Sequence, residues 1–558
     1  MKKYKYIFIS GGVISGLGKG ITAASIGLLL KAAGFKVAIL KCDPYVNVDA
    51  GTIRPQEHGE VFVTEDGIET DQDLGHYERF INENLSRAHY ITTGQIYQEV
   101  IRKERNFEYD GEDVEVVPHV PEEMIRRFKQ AGEASNADVV IIEIGGTVGE
   151  YQNILFLEAN RIMKMRENED VIHIHVAYLP TPPSIGEMKS KPVQISVRLL
   201  NQTGIQPDFL VARADKALDK KRIDRISLFC NINAKDIISN PYVQSTYEVP
   251  LVFEKQKFDK KIMEKLNLKP KKTKIMEKWK STVNKIKKAN KKVTIAMAGK
   301  YQTIGDYVLP DAYACVIESL RHAGWQYGYK PEIIWINTQK LETDKKELEN
   351  LKKADGIIIP QGWGSRGAEG KIKVAQFARE TKTPFLGLCF GMQMAVVEFA
   401  RNVLGLKEAN SQEVDDKTKD PVIHVMPDQI KYLAEKQYGG TIRLGAWPCE
   451  IAPDSNLYKF YTNDDQGKFL VSKNSPLTVM ERHRHRYEFN IKYRKNLESK
   501  GMIISGTSPD KKLVEAIELP KSQHPFFLGV QFHPEYKSRP LNPHPIFIEF
   551  IKACLKQF

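Results

Sequence analysis

Strand-length apolar runs alternate with helical patterns along both halves of the chain, and this alternation limits the possible fold more than any other feature. It is typical of parallel β-sheets with helices packed on both faces. We therefore predict an α/β protein with two doubly wound, mostly parallel-sheet domains. The predicted strands are 6–10, 36–40, 138–143, 173–179 and 208–212 in the first half, and 293–297, 333–336, 356–359, 384–388 and 527–531 in the second.

A lysine-rich stretch separates the two patterns. Residues 265–292 hold much of the excess positive charge, which is +12 over 558 residues. A run of this kind is most simply a solvated face, and Ile275, Trp279, Val283 and Ile286 give it a short helical pattern. Because one core cannot serve a chain of this length, we predict a domain of residues 1–268, a basic linker with a short helix over 269–291, and a second domain of 292–558.

Composition excludes several classes of protein. A hydrophobic content of 42% excludes wholesale disorder, and the apolar runs are far too short to span a membrane. The six cysteines never form C-x-x-C, so neither a zinc site nor a disulfide framework is indicated. The basic run 482–486 lacks the aromatic residues typical of single-strand binders. We expect a cytoplasmic protein that binds phosphorylated small molecules but neither nucleic acid nor membrane.

A glycine-rich turn follows the first predicted strand. Gly12, Gly16, Gly18 and Lys19 fit the pattern G-x-x-x-G-x-G-K. In such a loop the backbone N–H groups and the next helix N-terminus face phosphate oxygens, and the lysine adds a mobile positive charge. Gly20 stands where the strict motif has Ser or Thr. We predict a nucleotide phosphate site; an ordinary glycine-rich turn is the alternative.

Because that hydroxyl is missing, a bound metal would need other ligands. Glu143 ends an apolar strand, the position from which a Walker-B-type acid reaches magnesium. Asp73 lies in an acidic loop, in which Asp71 or Glu69 would serve as well by spacing alone. On another loop, Lys189 and Lys191 follow the fourth strand and would face the crevice where α/β ligands bind. Exposed surface charge is the alternative for all of these residues.

A cysteine in the second half lies in a nucleophile-elbow pattern. Cys389 is the centre of G-x-C-x-G between an apolar strand and a helical run, so the helix N-terminus would favour its thiolate. His533, at the end of another strand, can accept the thiol proton, and Glu535 can orient its imidazole. The N–H groups of Gly362 and Phe390 would form an oxyanion hole. This set predicts catalysis by a single thiol.

These motifs carry a resemblance to known families. The thiol site resembles the class I (triad) glutamine amidotransferases, in which the cysteine forms a γ-glutamyl thioester and ammonia departs. The whole chain resembles the CTP synthase family nearly end to end. The blocks that carry the second resemblance are 11–20, 41–49, 58–67, 73–79, 143–149, 386–389, 440–445 and 481–488.

The resemblance implies a reaction and its regulation. ATP would phosphorylate O4 of UTP, and ammonia from glutamine would attack C4 and expel phosphate to give CTP, a step of pyrimidine nucleotide biosynthesis. It also implies Mg²⁺, activation by GTP, inhibition by CTP, and a homotetramer, with filament formation left open. Neutral ammonia would pass through a walled tunnel, with His58 as a gate.

The resemblance also assigns residues. Asp73 and Glu143 would bind magnesium. ATP would be held by Ser15, Gly16, Leu17, Gly18, Lys19, Gly20, Ile21 and Asp73. UTP or CTP would be held by Ser15, Glu150, Tyr151, Gln152, Lys189, Ser190, Lys191, Pro192, Val193, Gln194 and Arg225. Glutamine would be held by Gly362, Phe390, Gly391, Met392, Gln393, Glu413 and Arg486.

This chain departs from the family pattern at several of these positions. Glu150-Tyr151-Gln152 stands where the family has Asp-Ile-Glu, and Arg225 stands where it often has Lys. Gln361 replaces the first glycine of a Gly-Gly pair, and Gly362 keeps the second. Arg366 and Glu369, near the expected glutaminase entrance, are candidates for GTP contacts.

Two other functions remain open at this point. One is a different P-loop amidotransferase, such as a cobyrinate or cobyrate amidase-type enzyme, which would lack the block at residues 75–80. The other is a non-catalytic filament or scaffold protein, against which Cys389, His533, Lys19 and Glu143 argue.

Overall fold

The computed structural model describes residues 4–167, 170–271, 273–300, 303–304, 307–308, 310–344, 346–463, 469–472 and 476–555. The chain divides into two compact units. The first comprises Met1–Ala50 and Asp73–Asn284, and the second comprises Gly51–Gln72 and Lys285–Phe558. The later division lies within the stretch that we predicted as a linker. The segment Gly51–Gln72, which chain position alone put in the N-terminal domain, groups with the second unit.

The first unit is built on a seven-stranded, fully parallel sheet. Its five long strands confirm the five that the apolar runs predicted, whereas the short edge strands Tyr90–Thr92 and Ile237–Pro241 were not predicted. The central strands are buried on both faces, which explains their unbroken apolar runs. The spatial order is Tyr90–Thr92, Val37–Asp43, Val139–Ile144, Lys5–Gly12, Val171–Tyr178, Phe209–Ala214 and Ile237–Pro241.

Helices connect these strands. A helix begins directly after the glycine-rich turn, and another begins at Asp73. The helices of this unit are Lys19–Ala32, Asp73–Ile81, Thr93–Arg105, Val116–Ala134, Ile154–Arg166, Lys191–Gln202, Lys220–Cys230, Val249–Lys255 and Phe258–Lys265, followed by Ile275–Lys288 at the boundary.

The helix Ile275–Lys288 carries the predicted apolar stripe of the basic stretch. Trp279 is buried, and its Nε1 donates a hydrogen bond to the Tyr247 carbonyl oxygen at 2.9 Å. The indole ring also packs against Phe80 and Tyr247. One face of this lysine-rich helix is therefore part of a core, although its lysines are exposed.

The second unit contains a ten-stranded mixed sheet. Five parallel strands confirm the second predicted set, and an antiparallel extension that we did not predict continues the sheet. The spatial order is Tyr329–Asn337, Lys291–Gly299, Gly356–Ile359, Phe385–Leu388, Phe527–Val530, Val514–Glu518, Ile503–Thr507, Arg443–Ile451, Leu477–His485 and Leu470–Ser472. Smaller sheets pair Phe62–Val63 with Glu69–Thr70, Thr303–Ile304 with Tyr307–Val308, and Asp420–Val425 with Ala409–Ser411 and Tyr487–Phe489.

Most helices of the second unit contribute side chains to one of two apolar clusters, whereas Pro55–His58 and Ile430–Ala434 have no buried residue. The helices of this unit are Pro55–His58, Ala314–Gln326, Thr338–Leu341, Lys346–Leu351, Ala368–Thr381, Phe390–Phe399, Ile430–Ala434, Asn456–Thr462, Arg494–Ser499 and Pro545–Leu555. Among the helices of the described residues, none has the combination of length and apolarity that crossing a bilayer requires.

Candidate active sites

Cys389 occupies the turn between strand Phe385–Leu388 and helix Phe390–Phe399. Its backbone has φ 51° and ψ −105°, a strained conformation for a residue with a side chain. Gly387 and Gly391 make the turn possible, because a Cβ at Gly391 would lie 2.0 Å from the Ile359 carbonyl oxygen and one at Gly387 would lie 2.8 Å from the Gly391 carbonyl carbon. The G-x-C-x-G pattern thus forms a tight strand–turn–helix with the thiol at its apex.

A histidine and a glutamate emerge from the neighbouring strand. Strand Phe527–Val530 runs parallel to Phe385–Leu388, so His533 leaves the same sheet edge as Cys389. His533 Nδ1 lies 2.7 Å from Glu535 Oε1, which leaves Nε2 for the thiol. Burial disfavours the imidazolium, but Glu535 and then Cys389 outweigh it and raise the pKa of His533 to about 10. The arrangement favours a protonated imidazole beside Cys389.

The loop at residues 360–364 lies beside this turn and is held by two lysines. Lys371 Nζ donates to the Pro360 carbonyl oxygen at 2.8 Å, and Lys300 Nζ donates to those of Trp363 and, at 3.0 Å, Gly364. Both ammonium groups lie 5.1 Å from the centre of the Phe390 ring. Burial lowers the pKa of Lys300 to about 8. These contacts point the carbonyls of the loop toward the lysines.

A cavity of about 620 Å³ in the second unit is lined by both charged residues that the resemblance assigns to glutamine, Glu413 and Arg486. Glu413 Oε1 accepts the Gly364 N–H at 2.6 Å, and burial raises the pKa of its carboxyl to about 7. Arg486 Nη2 donates to Thr441 Oγ1 at 2.8 Å. Arg366 also lines the cavity, whereas Glu369 forms an ion pair with Arg401 at 2.8 Å and is not part of the lining.

Gln393 and three other residues assigned to glutamine belong to the helix that begins after Cys389. The helix starts with Phe390, Gly391 and Met392, all buried. Gln393 Nε2 donates to the Tyr487 carbonyl oxygen at 2.8 Å and to Gln531 Oε1 at 3.1 Å. Gln531 Nε2 in turn lies 3.5 Å from Cys389 Sγ. A chain of amides therefore connects the helix to the thiol.

In the first unit the glycine-rich turn connects strand Lys5–Gly12 to helix Lys19–Ala32. Gly16 and Gly18 have φ of 70° and 85°, and a Cβ at either would meet no atom within 4 Å, so the turn faces open space. Ser15 is exposed beside them, Leu17 is buried, and Ile21 is half-buried in the helix. The turn has the backbone conformation that a phosphate cradle requires.

The structure explains why glycine stands at position 20, where the strict phosphate-loop motif has Ser or Thr. A Cβ at this position would lie 2.2 Å from Asp73 Oδ1. The Asp73 carboxylate therefore occupies the space beside the first helical turn, where a Ser or Thr side chain would otherwise project. The lack of a hydroxyl residue at position 20 therefore makes room for the carboxylate of Asp73.

Lys41 joins the acidic residues of this unit. Its Nζ forms ion pairs with Asp73, with Glu143 at 3.2 Å and with Asp43 at 3.7 Å. Tyr77 donates a hydrogen bond to Glu143. Burial raises the pKa of Glu143 to about 7, although Lys41 opposes the shift. Asp73 and Glu143 thus lie close enough to share one cation.

The two acids that spacing left as alternatives to Asp73 belong to the second unit. Glu69 Oε1 accepts from Arg484 Nε at 2.7 Å, and Asp71 Oδ2 lies 2.8 Å from His58 Nδ1. Asp73 instead pairs with Lys41, the same lysine that pairs with Glu143.

Apart from Ser15 in the glycine-rich turn, the residues assigned to the pyrimidine nucleotide are spread over three elements. Lys191 and Pro192 are the first two residues of helix Lys191–Gln202, and Val193 after them is buried. Gln194 Nε2 donates a hydrogen bond to Ser190 Oγ at 3.1 Å. Lys189 forms an ion pair with Glu187 at 2.9 Å. Arg225 is exposed on the neighbouring helix Lys220–Cys230, and Glu150, Tyr151 and Gln152 are exposed after strand Val139–Ile144. Glu187 also forms an ion pair with Arg222 at 3.1 Å, which links the loop of Lys189 to the helix that carries Arg225.

A chain of buried hydrogen bonds connects the helix Lys191–Gln202 to the strand that precedes the phosphate loop. Ser196 Oγ lies 2.6 Å from His175 Nε2, and His175 Nδ1 lies 2.8 Å from Ser10 Oγ. Burial lowers the pKa of His175 to about 3, so the ring is neutral. Gly12 is required here, because a Cβ would lie 1.5 Å from Ser196 Oγ.

Sequence reasoning missed the buried lysines and Tyr77. A signal existed for Lys41, which interrupts the apolar strand Val37–Asp43, and for Lys371, which lies on the buried face of helix Ala368–Thr381. A lysine at a core position is expected only where it has specific partners. Tyr77 lies in an amphipathic helix, where a core tyrosine is unremarkable, so no signal marked it.

Comparison with known families agrees with both halves of this description. Residues 5–268 match the family described as CTP synthase N-terminus, and residues 308–553 match the family described as glutamine amidotransferase class-I.

Individual relatives match over almost the whole chain. A CTP synthase of Caldanaerobacter subterraneus subsp. tengcongensis is 50% identical over 552 residues, which are 99% of this chain and 98% of the relative. A CTP synthase of Sulfolobus acidocaldarius is 49% identical over 550 residues, 99% of each chain. Among solved structures, the Trypanosoma brucei CTPS glutaminase domain with bound acivicin has 33% identity and a TM-score of 0.40, over 48% of this chain and 95% of that one.

Proposed function

The chain belongs to the CTP synthase family, and from this premise we propose that it aminates UTP to CTP with ATP and with ammonia taken from glutamine. The observation that carries the proposal is the presence, in one chain, of the Cys389–His533–Glu535 arrangement and of the phosphate loop with its acidic pair. The family match argues against another P-loop amidotransferase, and the geometry of the thiol site argues against a non-catalytic scaffold.

In the second unit the thiol site hydrolyses glutamine. The Cys389 thiolate attacks the side-chain amide carbon, and the oxygen of the tetrahedral intermediate accepts hydrogen bonds from the N–H groups of Gly362 and Phe390. Protonated His533 gives its proton to the departing nitrogen, so ammonia leaves and a thioester remains. His533 then takes a proton from water, which attacks the thioester and releases glutamate.

Glu413 and Arg486 give the site its charge selectivity for an α-amino acid. Both line the same cavity, one with a carboxylate and one with a guanidinium. A free amino acid carries an ammonium and a carboxylate on one carbon, so it can satisfy both partners, whereas an internal glutamine of a peptide cannot. We expect free glutamine to be the donor.

In the first unit the phosphate loop binds ATP through Ser15 to Ile21. The γ-phosphoryl group moves to O4 of UTP and ADP leaves; this step turns the carbonyl oxygen on C4 into a phosphate leaving group. Ammonia then attacks C4 and inorganic phosphate departs. Lys19, whose Nζ donates to the Gly146 carbonyl oxygen at 2.8 Å, neutralises part of the phosphoryl charge.

The acidic pair fits a magnesium ion. Asp73 and Glu143 offer carboxylate oxygens, the ligands that Mg²⁺ prefers, and both reach the same ammonium group of Lys41. When bound, Mg²⁺ would neutralise charge on the transferring phosphoryl group. Gly20 supports this assignment because it leaves room for Asp73 at the start of the helix.

Lys189, Lys191 and Gln194 are proposed to hold the UTP triphosphate. The chain of Ser10, His175 and Ser196 supports this role, since it fixes their helix to the strand that carries the ATP loop. Activation by GTP, inhibition by CTP, a homotetrameric assembly and action in the cytoplasm extend the proposal from the family.

One assay tests the proposal as a whole. The protein is incubated with UTP, ATP and Mg²⁺, with either ammonium or glutamine, and nucleotides are separated by chromatography. We expect CTP and ADP to appear in equal amounts from both nitrogen sources, and no CTP without ATP. Release of glutamate without any CTP from either source would contradict the proposal.

A further inference from the structure

Lys371 is a fully buried lysine that the mechanism above does not use. It lies on helix Ala368–Thr381, and its Nζ donates to the Pro360 carbonyl oxygen at 2.8 Å and to that of Gln361 at 3.4 Å. Burial, and then the nearby Lys300, hold the pKa of Lys371 well below its usual range. Such a group is costly to bury, and its partners are backbone carbonyls.

Gln361 is held a second time through its side chain. Its Nε2 donates to Glu60 Oε1 at 2.6 Å, and the other oxygen of Glu60 accepts the Cys315 N–H at 2.6 Å. Both side chains are buried. Glu60 lies on the segment Gly51–Gln72, which groups with this unit. The resemblance places a glycine at position 361, so this second contact depends on the glutamine that this chain has there.

These two contacts act on one peptide unit. In a trans peptide the carbonyl of one residue and the N–H of the next point in opposite directions. The direction of the Gln361 carbonyl therefore determines the direction of the Gly362 N–H. The peptide has little room to rotate, because a Cβ at Gly362 would lie 3.0 Å from Lys300 Cε and 3.2 Å from Lys371 Nζ.

We propose that Lys371 and Glu60 are positioning residues for the oxyanion hole, which hold the peptide between Gln361 and Gly362 so that the Gly362 N–H faces the reacting carbonyl. The inference rests on the proposed function, because it assumes that Gly362 is an oxyanion donor. Lys371 fixes the peptide by donating to the Gln361 carbonyl oxygen, and Glu60 fixes it by accepting from the Gln361 side chain. Neither residue touches the substrate.

The first test replaces Lys371 by methionine, which keeps the chain length and removes the donor. Loss of one oxyanion donor costs roughly 10²–10³-fold in kcat, so a misdirected donor should slow glutamate release by about 10–100-fold. The KM for glutamine should change by less than about threefold, because an oxyanion donor stabilises the transition state more than the bound substrate.

A matched control lies on the same helix. Lys373 Nζ also donates to two backbone carbonyl oxygens, those of Glu342 at 2.9 Å and Leu341 at 3.4 Å, but it is exposed and away from the loop. Lys373→Met should leave glutamate release within about twofold of the parent. A fall equal to that of Lys371→Met would show that the loss of any such lysine disturbs the fold, and would overturn the inference.

Alkylation of Cys389 by iodoacetamide separates the oxyanion hole from the thiol itself. This reaction forms a bond between sulfur and carbon and expels iodide, and no oxyanion develops. Lys371→Met should therefore alkylate at the parental rate while it hydrolyses glutamine slowly. If alkylation slows in proportion to hydrolysis, the lysine acts on the thiol and the inference is wrong.

A reciprocal exchange tests Glu60 even if Lys371→Met does not fold. Gln361→Glu alone sets a carboxylate against Glu60 and should slow glutamate release by about tenfold or more. Adding Glu60→Gln restores a donor and acceptor pair in reversed order and still accepts the Cys315 N–H, so the double variant should recover most of the rate. Absence of recovery, or an unchanged rate in Gln361→Glu, would overturn the role of Glu60.

Failure of this inference can be distinguished from failure of the proposed function. Glutamate release reports the thiol site alone, whereas CTP formed from ammonium reports the other unit. Lys371→Met should form CTP from ammonium within about twofold of the parent. A parent protein that forms no CTP from ammonium would contradict the proposed function and leave the test of the oxyanion hole intact.

Discussion

The thiol site of the second unit and the phosphate site of the first both lie where a strand ends, a tight turn follows and a helix begins. At the thiol site the reacting groups come from two short motifs on adjacent strands, and His533 is already paired with Glu535. At the phosphate site the turn is local, but Asp73 and Glu143 come from distant segments and share Lys41. The first site is organised by its own hydrogen bonds, and the second by a balance of charges.

Because the two sites are organised differently, they should be sensitive to different substitutions. The thiol site should fail when a single hydrogen bond is misplaced, and its failure should leave the other unit active. The phosphate site should fail when its charge changes, and neither ammonium nor glutamine should then support CTP formation.

Glu535→Gln should have the largest effect. An amide in place of the carboxylate no longer stabilises the imidazolium and can impose the wrong tautomer on His533, a change that costs roughly 10⁴-fold in a related triad. Glutamate release should fall by about 10³-fold or more. CTP formation from ammonium, measured on the same preparation, should stay near the parental rate; a parallel loss would mean that the two sites are not separable.

Glu143→Gln should remove CTP formation from either nitrogen source. The change keeps the shape of the side chain but removes one carboxylate from the proposed magnesium site, so phosphoryl transfer should slow by about 10²-fold or more. Glutamate release without nucleotides should be unchanged. Glu57→Gln, an exposed acid on helix Pro55–His58, serves as a control and should alter neither rate. Retention of ammonium-driven activity in Glu143→Gln would contradict the assignment.

Magnesium binding should weaken as pH falls. The pKa of Glu143 is raised to about 7, so the carboxyl is mostly neutral at pH 6 and mostly ionised at pH 8. A proton then competes with the cation, and the dissociation constant for Mg²⁺ should be about tenfold larger at pH 6 than at pH 8. Calorimetric titration of the nucleotide-free protein with Mg²⁺ measures this. A constant value across that range would show that Glu143 does not titrate there or does not bind the ion.

Ser196→Ala should have the smallest effect. This effect should be on the free energy of unfolding and not only on the rate of the reaction. The variant leaves His175 Nε2 buried without its partner at 2.6 Å, which costs about 1–3 kcal/mol of unfolding free energy. Chemical denaturation followed by circular dichroism measures the loss. Thr282→Ala, whose exposed hydroxyl bonds only within its own helix, is the control and should change stability little. Equal effects in the two variants would remove the argument for the buried chain of hydrogen bonds.

Much of the fold followed from the sequence because buried parallel strands leave unbroken apolar runs. The ten predicted strands, from Lys5–Gly12 to Phe527–Val530, are all present. The antiparallel extension was missed because strands such as Leu477–His485 carry Arg and His at alternate positions, which resemble a solvated charge run. In the structure Arg482 contacts Glu65 at 3.0 Å while His483 contacts Glu515 at 2.8 Å on the opposite face.

The candidate sites followed from the sequence only where their geometry is local. Cys389, His533 and Glu535 occupy two short motifs, so spacing alone could suggest their meeting. A lysine on an apolar helix face marked Lys371 as unusual, but its partners are backbone atoms and could not be inferred. The contact of Glu60 with Gln361 joins residues 301 positions apart, and no sequence pattern indicated it. The assignment of UTP contacts depends on family likeness, since Lys189 and Lys191 are ordinary surface lysines by pattern.

The most direct test of two separable sites is Cys389→Ala assayed with both nitrogen sources. The substitution removes the nucleophile and adds no charge, so glutamine-dependent CTP formation and glutamate release should fall to background. CTP formation from UTP, ATP and ammonium should continue within about twofold of the parental rate. If the ammonium-driven reaction also disappears from a folded protein, the account of one thiol site that only supplies ammonia to a separate phosphoryl-transfer site is wrong.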